Sequence, residues 1–126
     1  MPSRFHKLVG NALIELGEDL TKSKKWKTRF TEVFDGNKNP IKIINQFKRR
    51  TIGWNYYPDV YYTTKVGKKF IFEIIDSETI NEIIADYFQA VLSYAHAVMF
   101  IPTPERHGEV KDVVDTLDDL LKKILK

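Results

Sequence analysis

Glu73 lies in the run "FIFEII", residues 70–75, where every neighbour is Phe or Ile. A carboxylate drawn out of water costs several kcal/mol unless it is paired, hydrogen-bonded or bound to a metal, so the buried strand this run predicts needs a compensating group. Nothing basic stands two residues on, where Ile75 is found. Fourteen residues before Glu73, Asp59 opens a second β-rich run in "YPDVYY", residues 57–62. On neighbouring strands of a hairpin the two acids can converge on one side of the sheet. Paired carboxylates make a hard oxygen site for Mg²⁺, which keeps several waters and also takes a phosphate oxygen. An ion held there polarises a phosphodiester and activates water for in-line attack. Plainer roles exist for both acids. An Asp after Pro is a common turn residue, and Glu73 can pair with a lysine of the neighbouring strand.

The elements that must position these residues are legible in the patterning. Apolar residues at Phe5, Leu8, Val9, Ala12, Leu13, Leu16 and Leu20 form one helical stripe from Ser3 to about Leu20. "WKTRFTEVFDGNKNP" reads as a strand ending in a turn, and "IKIINQFKRRTIG" is ambiguous between a short strand and a helical turn. "WNYYPDVYYTT" and "KKFIFEIID" are β-rich runs joined by the Gly-containing turn "KVG", which predicts an antiparallel hairpin. The second run is apolar enough for a central strand covered on both faces. Thr79 and Glu82 predict a capping box, ahead of a stripe of Ile80, Ile83, Ile84, Tyr87, Phe88, Val91, Leu92 and Ala95. "AVMFIP" predicts a short buried strand, and Val110, Val113, Val114, Leu117, Leu120, Leu121 and Ile124 line a last amphipathic helix. The expected fold is α/β or α+β, a mixed central sheet flanked by helices in one domain over residues 1–126.

With these elements in place, "YPDVYY" followed by "FIFEII" resembles the PD-(D/E)xK nuclease superfamily, the restriction-endonuclease-like fold that includes small archaeal and viral resolvases. In that pattern a Pro-Asp begins one strand of a hairpin, an acid and a lysine lie two apart on the next, and a helix and a further strand follow. The resemblance implies a Mg²⁺- or Mn²⁺-dependent DNA endonuclease with Asp59 and Glu73 as metal ligands and the backbone carbonyl of Ile74 as a further one. It also implies a metal-binding glutamate on the first helix, Glu15, with His6 as the alternative position, and an assisting glutamine, Gln89, on the helix face that carries Asp86, Ser93 and His96. The lysine position is Ile75, and an alkyl chain neither orients a water nor stabilises phosphorane charge. Lys42, Lys68 and Lys69 flank the predicted sheet as replacements. The sequence therefore leaves open a divergent endonuclease and a catalytically inactive nuclease-fold module that binds DNA or protein. Asp76, one residue past Ile75, is expected on the face opposite Glu73.

Charge and composition bound the remaining possibilities. Residues 1–70 carry a net +9 and residues 71–126 a net −6, which together make the overall +3. The basic residues Lys24, Lys25, Lys27 and Arg29, then Lys48, Arg49 and Arg50, then Lys68 and Lys69 form clusters able to follow a phosphate backbone. Such clusters are also common as solvated loops. Trp54, Tyr56, Tyr57, Tyr61 and Tyr62 surround Asp59 and suit either base stacking or core packing. Zero cysteines exclude a disulfide framework and a thiolate metal site. The histidines His6, His96 and His107 lack metal-ligand spacing, and no Gly-rich phosphate loop is present. The composition is that of a globular chain without a membrane span, and "MPSRFHKLVG" has no signal-peptide core, so a cytoplasmic location is expected. By analogy with small nucleases, a homodimer through the C-terminal helix or an edge strand is expected.

Overall fold

The computed structural model describes residues 3–47 and 49–125, the side chains of residues 45–47 set aside. In chain order the elements are α1 (Arg4–Lys22), β1 (Phe30–Asp35), β2 (Ile41–Phe47), β3 (Arg50–Tyr56), β4 (Val60–Thr64), β5 (Lys69–Ile75), α2 (Ile80–Leu92), β6 (Ala97–Pro102) and α3 (His107–Ile124). A short 3-10 turn, Pro104–Arg106, leads into α3. Ser3 caps α1 by accepting the His6 backbone N–H at 3.1 Å. Thr79 and Glu82 form the capping box at the start of α2.

Four strands make a mixed sheet in the order β1-β4-β5-β6, and β2 and β3 form a separate two-stranded hairpin. The fold is α+β. β1, β4 and β5 run antiparallel, and β6 lies parallel to β5, joined to it through α2. Lying between β4 and β6, β5 is central, in keeping with its apolar sequence. On one face Tyr62 donates its hydroxyl to the Leu13 carbonyl of α1. Gly17 lets that helix settle there, since a Cβ would fall 2.6 Å from the Tyr62 ring and from Val33. The alternate residues Tyr61 and Ile71 face the other way, into a core shared with Ile41, Ile43, Tyr56 and Ala90. Ile75 continues that face against Ile83 of α2 and Val110 of α3.

Three features depart from the patterning. The ambiguous "IKIINQF" is a strand, its Ile41 and Ile43 buried while Lys42 and Ile44 point outward. "WNYYPDVYYTT" is not one run: Trp54–Tyr56 belong to β3, and the chain breaks at Tyr57-Pro58-Asp59 before β4. The buried side of α2 is rotated from its predicted stripe. Ile83, Tyr87 and Ala90 are buried, Ile80, Phe88 and Leu92 are exposed, and Asp86, placed by sequence on the polar side, is half-buried. The apolar residues of α2 cover more than half of its circumference, so the pattern leaves open which part of that arc docks. Among the described residues no helix is long and apolar enough to cross a membrane.

Candidate functional site

Asp59 is held where β1, β4 and β5 meet. Its carbonyl accepts the Gly36 N–H at 3.1 Å, in a turn that only glycine fits, because a Cβ on Gly36 would lie 1.6 Å from the Pro58 carbonyl oxygen. Continuing the β4/β5 register by one residue sets Asp59 across from Glu73, and two hydrogen bonds lock them. The Asp59 N–H donates to Glu73 Oε1 at 3.1 Å, and the Ile74 N–H donates to Asp59 Oδ2 at 2.7 Å. The hairpin spacing thus brings the two predicted acids together.

Their carboxyl groups look in different directions. Asp59 lines an open cleft of about 570 Å³ bounded by the first turns of α1, the turn after β1 and the segment after β5. His6 Nε2 stands 3.2 Å from Asp59 Oδ1 and 3.8 Å from Glu78 Oε1. Asp35, Asp76 and Lys7 complete the charged lining, so the cleft is acidic. Asp76 therefore does lie on the face opposite Glu73, and that face is the one bearing the cleft. Glu73 is only 4 % exposed and shares its face with Ile71 and Ile75. It lies against Asp86 of α2 and the Tyr56 hydroxyl.

That environment answers what compensates Glu73. Among the described residues no cation is within 4 Å of it. The Asp59 N–H satisfies one oxygen, and burial, followed by the adjacent Asp86 charge, holds its carboxyl well above the usual carboxylate range. The Asp86 carboxyl of α2 stands beside it and adds to that rise. Asp86 is also raised, chiefly by burial, while the hydrogen bond from Glu73 opposes the rise. Asp59 is raised by burial and drawn back by the Ile74 N–H and by His6. Tyr56 is 2 % exposed, its hydroxyl has no hydrogen-bond partner among the described residues, and burial, then the Glu73 carboxyl against it, push its pKa up.

The other expected residues are placed as follows. Glu15 is exposed on α1, and His6, its alternative, is the residue of that helix beside Asp59. Gln89 is half-buried one turn beyond Asp86, and neither it nor Glu15 lines the cleft. Ile75 is fully buried. Lys68 and Lys69 lie at the far end of β5 from Glu73, and Lys42 is exposed on β2, whereas the lysine at the cleft is Lys7. Lys24, Lys25, Lys27, Arg29, Arg49 and Arg50 are exposed, and Lys48 lies outside the described residues. Tyr56, Tyr61 and Tyr62 are buried core residues, Trp54 is half-buried and Tyr57 is exposed.

Sequence reasoning missed Lys7, Asp35, Glu78 and Asp86 as neighbours of the two acids. Asp86 carried a signal, because it is three residues from Ile83 and so on the buried side of α2. Glu78 is fixed by tertiary contacts: its carboxylate accepts the Asp76 N–H at 2.6 Å, and Arg106 holds the carbonyls of Asp76 and Glu78.

Hard carboxylate oxygens and a backbone carbonyl are the donor set that suits Mg²⁺ or Mn²⁺. Among the described residues no three acid or histidine side chains are gathered into a ready-made metal cage. No protein-family description, curated protein or solved structure matches the chain significantly.

Proposed function

We propose that the protein is a divalent-cation-dependent DNA endonuclease on the PD-(D/E)xK plan, lacking that plan's lysine. The observation that carries this reading is the mutual bracing of Asp59 and Glu73 at the edge of an acidic cleft. The element order supports it: Pro58-Asp59 precedes β4, Glu73 sits across on β5, and α2 and β6 follow. Asp59 and the Ile74 carbonyl, both at the cleft, are the groups that would hold the ion, and Glu73, turned to the other face, braces Asp59 through its backbone N–H. When bound, Mg²⁺ or Mn²⁺ supplies polarisation of the phosphodiester and a nucleophilic water.

The chain's own residues do the rest. The Ile74 N–H fixes Asp59 Oδ2 and leaves Oδ1 toward the cleft. His6 is placed to take up or return a proton at Nε2, and Lys7 is the cleft cation that can meet a phosphate. Ile75 contributes no charge, and loss of one donor to a developing oxyanion typically costs about 10²–10³ in rate, so turnover is slow. The test is cleavage of branched, single-stranded and duplex DNA with Mg²⁺ or Mn²⁺. Asp59→Ala and Glu73→Ala are each expected to lower the rate at least about 10²-fold. Metal-dependent cutting that survives both substitutions removes the assignment.

A second reading, an inactive nuclease-fold module that binds DNA or protein, is favoured by Ile75 being fully buried and Glu73 being turned toward Asp86. Absence of cutting on every substrate, together with retained DNA binding, selects it.

A further inference from the structure

The strand register sorts the charges to opposite ends of the sheet. Phe30 of β1 pairs with Thr64 of β4, and Asp35 pairs with Val60. Arg29, just before β1, and the β4–β5 turn with Lys65, Lys68 and Lys69 therefore share one end, while Asp59 and its cleft occupy the other. Five steps of β1 at about 3.3 Å each separate the ends by about 16 Å. The loop carrying Lys24, Lys25 and Lys27 feeds into Arg29, so it belongs to the basic end. Among the described residues none of these seven cations has a carboxylate within 4 Å, and the nearby acids of α1, Glu18 and Asp19, are exposed and unpaired with them.

Aromatic rings stand at the same end. Trp26 is exposed with Lys25 Nζ 5.2 Å from its ring centroid. The β6 start joins this end because the His96 N–H donates to the Lys69 carbonyl at 2.9 Å and the His96 ring meets Phe70. Tyr94, two residues earlier, is 90 % exposed on a backbone of φ 58°, a conformation unfavourable to a side-chain-bearing residue. Unpaired cations beside exposed rings are the combination that holds single strands, phosphates on the charges and bases on the rings. Duplex DNA, with its bases stacked inward, has no use for the rings.

We infer that the basic end of the sheet binds single-stranded nucleic acid, on a surface separate from the Asp59 cleft. The inference rests on the proposed nucleic-acid partner, but not on cleavage. A stacked strand advances about 3.4 Å per nucleotide, so about five nucleotides span from the basic end to the cleft.

The test is fluorescence anisotropy of a labelled 20-nucleotide oligo-dT with the full chain in EDTA, so that no strand is cut. Single-strand contacts contribute about −0.7 each to the slope of log affinity against log salt. The triple variant Lys24→Gln, Lys25→Gln, Lys27→Gln is expected to lower that slope by about 2. Trp26→Ala with Tyr94→Ala is expected to weaken binding about tenfold or more. Lys122→Gln with Lys123→Gln, on the last turn of α3, is expected to leave binding intact. All these side chains are exposed, and unchanged thermal melts verify folding. Unaltered affinity in the lysine and aromatic variants overturns the inference. So does equal affinity for a duplex of the same length or for phosphatidylserine vesicles. Binding as expected without cleavage of any substrate leaves this surface standing and removes the endonuclease reading. Cleavage that is unaffected by the lysine and aromatic variants does the reverse.

Discussion

Glu73 is legible in the sequence as an anomaly, a lone acid among Phe and Ile, but its solution is not. Spacing suggests a cation or a lysine; the structure instead provides the Asp59 N–H and sets Asp86 beside Glu73, with burial raising both carboxyls. The consequence for stability has a definite sign. Glu73, Asp59 and Asp86 are all raised in the folded chain, so the folded state holds protons the unfolded state releases. Their stabilising contribution is complete below the ordinary values of 4.5 for Glu and 3.8 for Asp and is lost as pH rises past them. Wild-type stability without divalent cation is therefore expected to fall as pH rises from acid to alkaline. In Glu73→Gln the amide can still accept from the Asp59 N–H and donate to Asp86, so the decline is expected to flatten, with a gain of about 1–3 kcal/mol at alkaline pH. Urea unfolding across pH checks this; an undiminished slope in the variant would show that Glu73 is not the group titrating. Tyr56→Phe removes a buried hydroxyl that has no hydrogen-bond partner among the described residues, so thermal unfolding is expected to show a change between zero and about +1 kcal/mol. A loss beyond about 1 kcal/mol would reveal a hidden partner.

Among the elements, the turn after β1 shows how local reading and tertiary cause divide. Asp35-Gly36 reads as a turn from its residue types, yet the need for Gly36 comes from Pro58, distant in sequence, whose carbonyl occupies the space of a Cβ. Gly36→Ala is expected to cost about 2–3 kcal/mol through forced displacement, and to lower any activity that depends on Asp59. Gly108→Ala is the control: a Cβ there meets nothing within 4 Å, and a residue of better helix propensity at the start of α3 is expected to be neutral or stabilising by up to about 1 kcal/mol. Equal losses in the two variants would mean that Gly36 is not sterically required. The capping box of α2 was readable because it is a local contact across three residues. The docked side of α2 was not, because Ile80, Phe88 and Leu92 are as apolar as the buried Ile83, Tyr87 and Ala90 yet are exposed.

Across the whole molecule, the β2–β3 hairpin separates β1 from its partner β4 in sequence but joins the main sheet in space. Ile41, Ile43 and Tyr56 form one core with Tyr61, Ile71 and Ala90. Ile43→Ala is expected to destabilise by about 2–5 kcal/mol, with far- and near-ultraviolet circular dichroism reporting one shared transition. Separate transitions for the hairpin and the sheet would contradict this common core. The sequence by itself determined the helices and strands whose periodicity was clear, the capping box, the hairpin that sets Asp59 beside Glu73, and the charge division along the chain. These depend on contacts between near neighbours and on alternation that any strand imposes. Only the tertiary structure decided that Asp59 opens onto a cleft beside His6 and Lys7 while Glu73 turns inward to Asp86, and that Lys65, Lys68 and Lys69 lie at the other end of the sheet. Those outcomes depend on α1 and α2 docking on opposite faces of one sheet, a choice made by packing among remote residues that local spacing does not encode.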